Sequence, residues 1–251
     1  MLYSAKEISV GVHPMARLFG LSFEYDIALS TVVAAAIFLF LMFRMTSKVT
    51  DGVPGKLQVF WEMIQEMVSD LAVSVMGERG KKFVPLGVTL FLFILISNWI
   101  GILPTAMHPG SSGDILPAPT SDVNLPLAMA ALVIVWVHVE SFRARGVGGY
   151  FRHYKEPMIG LLPINVIEEI TKPVTMTFRL FGNLFSGVIM ISVITTLLPI
   201  YAIPVAEIVW KPFDDLFIGA IQAYIFMLLA IMYFGMATSH VESHEHAPAL
   251  Q

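Results

Sequence analysis

The residues with chemistry to offer are few, and most fall in one stretch, Asn165 to Leu198, NVIEEITKPVTMTFRLFGNLFSGVIMISVITTLL. Glu168, Lys172, Thr175, Arg179, Asn183 and Ser186 follow one another at steps of three or four, so a helix places them on one stripe. The remaining faces are Val, Ile, Leu, Phe and Met, and the stretch is long enough to cross a bilayer. Such a helix turns its stripe toward protein or water and away from lipid. Arg179 is its costly member. An arginine near the middle of an apolar span costs at least ~2.5–3.5 kcal/mol by insertion scales. With a pKa above ~12 it keeps its charge when buried, so it needs an anion. Glu168 and Glu169 lie about three turns away, or ~15 Å at 1.5 Å per residue. That is too far for a direct ion pair, which points to a partner elsewhere in the fold or on another subunit. A snorkelling arginine at a helix end is the plain alternative, and the apolar run from Leu180 and Phe181 onward argues against it.

The second such stretch is EIVWKPFDDLFIGAIQAYIFMLLAIMYF. Asp215, Gly219 and Gln222 stand at steps of four and three, so the carboxylate and the amide share a helix face. Asp214 lies about 100° round the helix from Asp215. Gly219 and Ala223 leave room for another backbone to approach closely. Both aspartates are also compatible with a solvated, inert position near a membrane face, whereas Gln222 sits deeper. The inventory is therefore one fixed cation, a few carboxylates, two carboxamides and some hydroxyls on two helices. No nucleophile stands beside a base, and no Gly-rich phosphate loop is present. His240, His244 and His246 lie in a hydrophilic tail where no metal role is expected. These groups suit the movement of protons or cations better than bond-making.

The elements that must position them follow from composition. Of 251 residues 56% are hydrophobic and only 14% charged, against roughly 25% charged in a soluble domain, which indicates a polytopic membrane protein. A net charge of −4 offers no basic surplus for nucleic acid, and the lack of cysteine excludes disulfides and thiolate metal sites. No internal repeat is visible. Residues 1–26 read as a short mixed arm without a signal-peptide pattern, partly amphipathic around Met15 to Phe23. Residues 27–43 form the first span, closed by Arg44 and Lys48. Residues 56–76 have helical periodicity but carry Glu62, Gln65, Glu66, Ser69 and Asp70, and are too polar to span. They read as an interfacial amphipathic helix beginning after Pro54 and Gly55 and ending at Gly77. Residues 84–103 are the second span and contain Asn98 and Trp99. Residues 125–142 are the third, followed by the basic run RARGVGGYFRHYKEP. Residues 165–198 and 205–238 are the long polar-striped helices, separated by PIYAIP, and residues 239–251 form the tail. The expected fold is all-α, with five crossings and one interfacial helix. The loops at 104–124 and 199–204 have no Lys or Arg, while the segments after spans one and three are basic. This puts the N-terminus outside and the C-terminus in the cytoplasm.

The motifs TFRLFGNLFSG and GAIQAYIFMLL strongly resemble subunit a of the F-type ATP synthase, the stator half of its membrane motor. DGVPGKLQ, FILISNWIGILP, APTSDVN and LLPINVIEEITKPVT match further motifs of that family in the family's order, so that the resemblance covers roughly residues 25–240. Its wording is bacterial, which implies a bacterial inner membrane. The resemblance implies that the last two long helices form a tilted hairpin against the ring of subunit c, with subunit b of the peripheral stalk as another partner and no cofactor. It implies that Arg179 is the essential arginine facing the ring carboxylates, with Asn183 and Gln222 beside it. Glu168, Glu169 and Thr175 would then lie toward a cytoplasmic half-channel, and Asp122 near the outer one. Many relatives carry an acid or histidine nine positions after the arginine, where this chain has Val188. Many also have a histidine or acid seven positions before the glutamine, which is Asp215 here. Asp215 is therefore expected to serve as the outer-channel relay, with Asp214 as a possible companion. The chain would have no catalytic site of its own.

Two other functions are compatible with parts of the pattern. An ion-coupled secondary transporter would bind its substrate at Arg179 and Asp215 near the midplane, but would show inverted repeats and matching broken helices. A membrane-embedded hydrolase would need a Ser–His pair or a His/Glu metal motif, and His138 and Glu140, two apart, fall on different helix faces.

Overall fold

The computed structural model describes residues 15–18, 21–50, 52–102, 116–155, 162–199 and 208–238. The histidine-bearing tail, most of the 104–124 loop and most of the PIYAIP turn lie outside the described residues. The long elements are helices. They are α1 (Tyr25–Thr46), α2 (Lys56–Met76), α3 (Val84–Ile100), α4 (Asn124–Lys155), α5 (Leu162–Leu197) and α6 (Ile208–Thr238). Five segments are long and apolar enough to cross a membrane: α1, α2 running on into α3, α4 as far as Gly146, α5 and α6. In the N-terminal arm a short antiparallel hairpin pairs β1 (Met15–Leu18) with β2 (Leu21–Glu24), where the sequence suggested only an amphipathic stretch. Strands of four residues give too few side chains for periodicity to separate from a helical turn.

Helices α3 and α6 pack along each other at the centre, with α2, α4 and α5 also against α6 and α1 against α3. The inward residues of α2 are Ile64, Val68, Ala72 and Met76, one face at steps of four, while Glu62, Glu66 and Asp70 stay off that face. Gly77 ends α2 at φ 60°, a conformation that costs other residues, and a seven-residue 3-10 turn (Gly77–Phe83) leads into α3. Phe83 of that turn stacks on Phe234 of α6, with ring centroids 4.3 Å apart. Lys82 beside it donates to Glu140 of α4 at 2.7 Å. Gly146, at φ 69°, breaks the helical dihedrals of α4. Arg145 just before it donates to the Met236 carbonyl at 2.9 Å, satisfying an acceptor in the last turn of α6.

The 36 residues of α5 would extend about 54 Å at 1.5 Å per residue, against a hydrocarbon core of about 30 Å. A helix that long, with polar groups from end to end, has to lie aslant or run beyond the core. It passes through Pro173, which has no N–H to give the Glu169 carbonyl.

Candidate functional site

Arg179 sits on the outward face of α5, exposed together with Glu168, Thr175 and Ser186, while Lys172 and Asn183 are half-buried on the same stripe. Large apolar residues lie to either side of it on α5, among them Phe178 and Ile189, each more than a third exposed. Among the described residues no Asp or Glu pairs with the Arg179 guanidinium. Its backbone, by contrast, is held firmly. The Gln222 side-chain amide of α6 donates to the Arg179 carbonyl oxygen. The seam behind it, lined by Met176, Leu180, Phe226 and Leu229, is too narrow for a water molecule. The arginine is therefore fixed at its root, free at its tip, and backed by a dry wall.

Two acidic groups flank Arg179 along α5. Ten residues earlier, Glu169 accepts from Lys172 at 2.5 Å and lies 3.8 Å from His138 Nε2 of α4. The other ring nitrogen of His138 is 3.3 Å from the Tyr150 hydroxyl, and Lys172 stands 5.7 Å from the centre of the Tyr233 ring of α6. Glu168 remains exposed on the stripe. The sequence led us to expect Glu169 here, but not His138 and Tyr150, whose approach depends on how α4 packs on α5. His138 and Glu140 do diverge as their spacing requires, since Glu140 turns to Lys82 and Arg143.

On the other side of Arg179 lie Asp214 and Asp215, both buried, at 6% and 8% exposure. They stand in a π-helical segment, Pro212–Ile218, inside α6. Its i→i+5 hydrogen bonding widens the turn and changes the angular relation that a regular α-helix would impose. Asp215 turns toward α3, where a Cβ added to Gly101 would come within 3.2 Å of its Oδ2. Asp214 turns toward α5 and rests on the backbone of Gly187, where an added Cβ would overlap its carboxylate. Neither aspartate stands on the exposed surface of the folded chain, and the two face different neighbours.

Asn98 fixes this pole. It is fully buried, donates to the Gly219 carbonyl at 2.8 Å and accepts from the Thr120 hydroxyl at 2.5 Å. The Asn98 Cβ occupies space that a side chain at 219 would need, which is the close backbone approach expected of that glycine. A polar residue inside span two was the visible signal for Asn98, while Thr120 carried none. Asp122 follows Thr120 by two residues, is half-buried, and accepts from the Asn124 N–H at 2.7 Å, which closes the start of α4. No cluster of three or more potential metal ligands occurs among the described residues.

The model of the family described as ATP synthase A chain matches residues 28–235. The chain belongs to that family. It is 44% identical over 247 residues to ATP synthase subunit a of Acidothermus cellulolyticus, covering 97% of this chain and 89% of the relative. It is 41% identical over 249 residues to ATP synthase subunit a of Mycobacterium leprae, covering 97% and 98%. It is 36% identical over 247 residues to the chloroplastic ATP synthase subunit a of Stigeoclonium helveticum, covering 97% and 95%. Membership makes the chain a non-catalytic membrane subunit of an ATP synthase, with roles in ATP synthesis and proton transport. The lack of any nucleophile–base pair in the sequence agrees with that.

Proposed function

We propose that α5 and α6 form the stator face of the motor, with Arg179 opposite the carboxylates of a subunit c ring and one aqueous half-channel on each side of it. The observation that carries this is the free guanidinium of Arg179 on an exposed, apolar-flanked face, flanked along α5 by acidic groups on both sides. Glu169, with Glu168 and Thr175, belongs to the cytoplasmic half-channel. Asp215, with Asp122 nearer its mouth, belongs to the outer one, and Asp215 is the outer proton relay. Asn183 and Gln222 hold the site beside the arginine, Gln222 through the Arg179 carbonyl. Subunit b of the peripheral stalk is the static partner, in a bacterial inner membrane with the N-terminus outside and the C-terminus inside, as the loop charges require.

The work is electrostatic. A protonated ring carboxylate arriving from lipid meets Arg179, whose positive charge favours the ionised form and drives the proton into one half-channel. The bare carboxylate passes the arginine, takes a proton from the other half-channel and re-enters lipid neutral. Each charge crossing 100 mV supplies ~2.3 kcal/mol, so several crossings accompany each ATP made elsewhere in the complex. The fixed cation and the dry seam behind it oppose a straight leak.

Because the chain contains no cysteine, Phe178→Cys places a single thiol on the exposed face of α5. Paired with a cysteine next to the ring carboxylate, it should form a disulfide between the two subunits and stall ATP-driven rotation. Failure of every position on this face to cross-link, with cross-links forming from α1 instead, would refute the assignment.

A further inference from the structure

We infer that Asp214, seated on Gly187, is the last protein carboxylate of the outer proton path, and that Asp215 is the station before it. This rests on the outer half-channel proposed above and gives its two aspartates different tasks.

Three observations carry it. First, the neighbouring carboxylates of the π segment face different helices, Asp215 toward α3 and Asp214 toward α5. Second, Gly187 is the residue that lets Asp214 reach α5. Any side chain there would occupy the carboxylate's place, with a Cβ overlapping Oδ2 and lying 2.7 Å from Cγ. Gly187 stands eight residues after Arg179, or about 12 Å further along the helix. The carboxylate so held rests against the helix that carries the arginine, on the side of Arg179 opposite Glu169.

Third, two buried N–H donors flank this place without a protein acceptor among the described residues: Asn183 Nδ2 and Trp210 Nε1. Asn183 is one turn before Gly187 on α5, and Trp210 one turn before Asp214 on α6. Buried donors are almost always satisfied. The Asn183 donor marks where an acceptor from outside the chain, a water or an arriving carboxylate, is taken up between Asp214 and Arg179, while the Trp210 donor stands on the far side of Asp214.

The transfer balances simply. The O–H bond of protonated Asp215 breaks, and its proton passes to the Asp214 carboxylate on the same widened turn. Asp214 then releases the proton to an ionised ring carboxylate that has passed Arg179. Asp215 is reprotonated from outer water, and both aspartates end as they began. The position nine residues after the arginine, Val188, has no acid to give, so the carboxylate comes from α6 and reaches α5 across Gly187.

The test uses the whole ATP synthase in membrane vesicles, with ATP-driven proton pumping and the amount of assembled complex measured together. Asp214→Asn should lower pumping per assembled complex roughly 10²-fold, the scale of losing a positioned proton carrier. Gly187→Ala keeps every carboxylate yet displaces Asp214, and should also reduce pumping. Asp214→Cys gives this cysteine-free chain one thiol, which a small, impermeant, charged methanethiosulfonate should modify from the extracytoplasmic side only. A carboxylate of purely structural value would leave that thiol unreactive from either side. Normal pumping in both Asp214→Asn and Gly187→Ala, or a thiol unreactive from outside, overturns the inference. Asp215→Asn separates this from the proposal beneath it. If Asp215→Asn abolishes pumping while the Asp214 and Gly187 variants pump normally, only the second station is lost. If Asp215→Asn also pumps normally, the outer relay itself is misassigned.

Discussion

Arg179 and Glu140 are two places where this chain sets a charge among apolar residues, and they settle it in opposite ways. Glu140 is buried and matched inside the chain, with Lys82 on one oxygen at 2.7 Å and Arg143 on the other at 3.1 Å. Arg179 is fixed only through its backbone, and its guanidinium has no carboxylate partner among the described residues. A charge matched within the chain ties elements together, in this case α4 to the turn before α3. An exposed cation left unmatched on an apolar-flanked face is matched by something that comes and goes. The contrast separates a structural ion site from a working one, and it predicts that substitutions at the two places fail differently.

Short of removing Arg179 itself, the largest effect is expected at the outer pole. Asp215→Asn should reduce ATP-driven pumping roughly 10²-fold, the contribution typical of a positioned proton carrier, with thermal stability of the extracted complex little changed. Glu140→Ala should do the reverse. Removing one partner of a buried ion pair costs ~3–5 kcal/mol, but Lys82 and Arg143 are more than half exposed, so about 2 kcal/mol is the better figure. It should appear as a lower midpoint of thermal dissociation and less assembled complex, with near-normal pumping per complex that remains. Asn98→Ala leaves the Gly219 carbonyl and the Thr120 hydroxyl without their partner, a cost of about 1–3 kcal/mol. Because Asn98 braces the segment that carries Asp215, both stability and pumping should fall. A loss of stability alone would detach Asn98 from the path. The smallest effect is expected of Lys172→Met, which frees Glu169 from its 2.5 Å partner. The pair is partly wet, so a change in pumping of a few-fold, with stability shifted by no more than ~1 kcal/mol, is expected.

Much of this was legible in the sequence because it depends on local rules. The apolar windows of α1, α3 and α4 could be read directly, and so could the stripe through Arg179, since the 3.6-residue period fixes which side chains share a face. Gly77 could be read as the end of α2 because a positive φ is cheap only for glycine. The π-helical turn that carries Asp214 and Asp215 has no mark in the hydrophobic period, although the divergence of the two side chains follows from their being neighbours in a helix. Nothing in the sequence singles out Gly187, whose part appears only where Asp214 rests on it. The bonds from Asn98 to Thr120 and Gly219, and the approach of His138 to Glu169, cross between helices distant in sequence. No periodicity within one helix encodes them. Family membership could be read from the ordered motifs, and the matches over nearly the whole chain agree.

The most direct measurement is ATP-driven acidification of inverted membrane vesicles carrying Arg179→Ala, set beside vesicles with the unaltered chain and with Glu140→Ala. The account predicts that Arg179→Ala assembles in normal amount and pumps nothing, while Glu140→Ala pumps in proportion to the complex that survives. Undiminished pumping by an assembled Arg179→Ala complex would contradict it, because the unmatched cation would then have no part in moving protons.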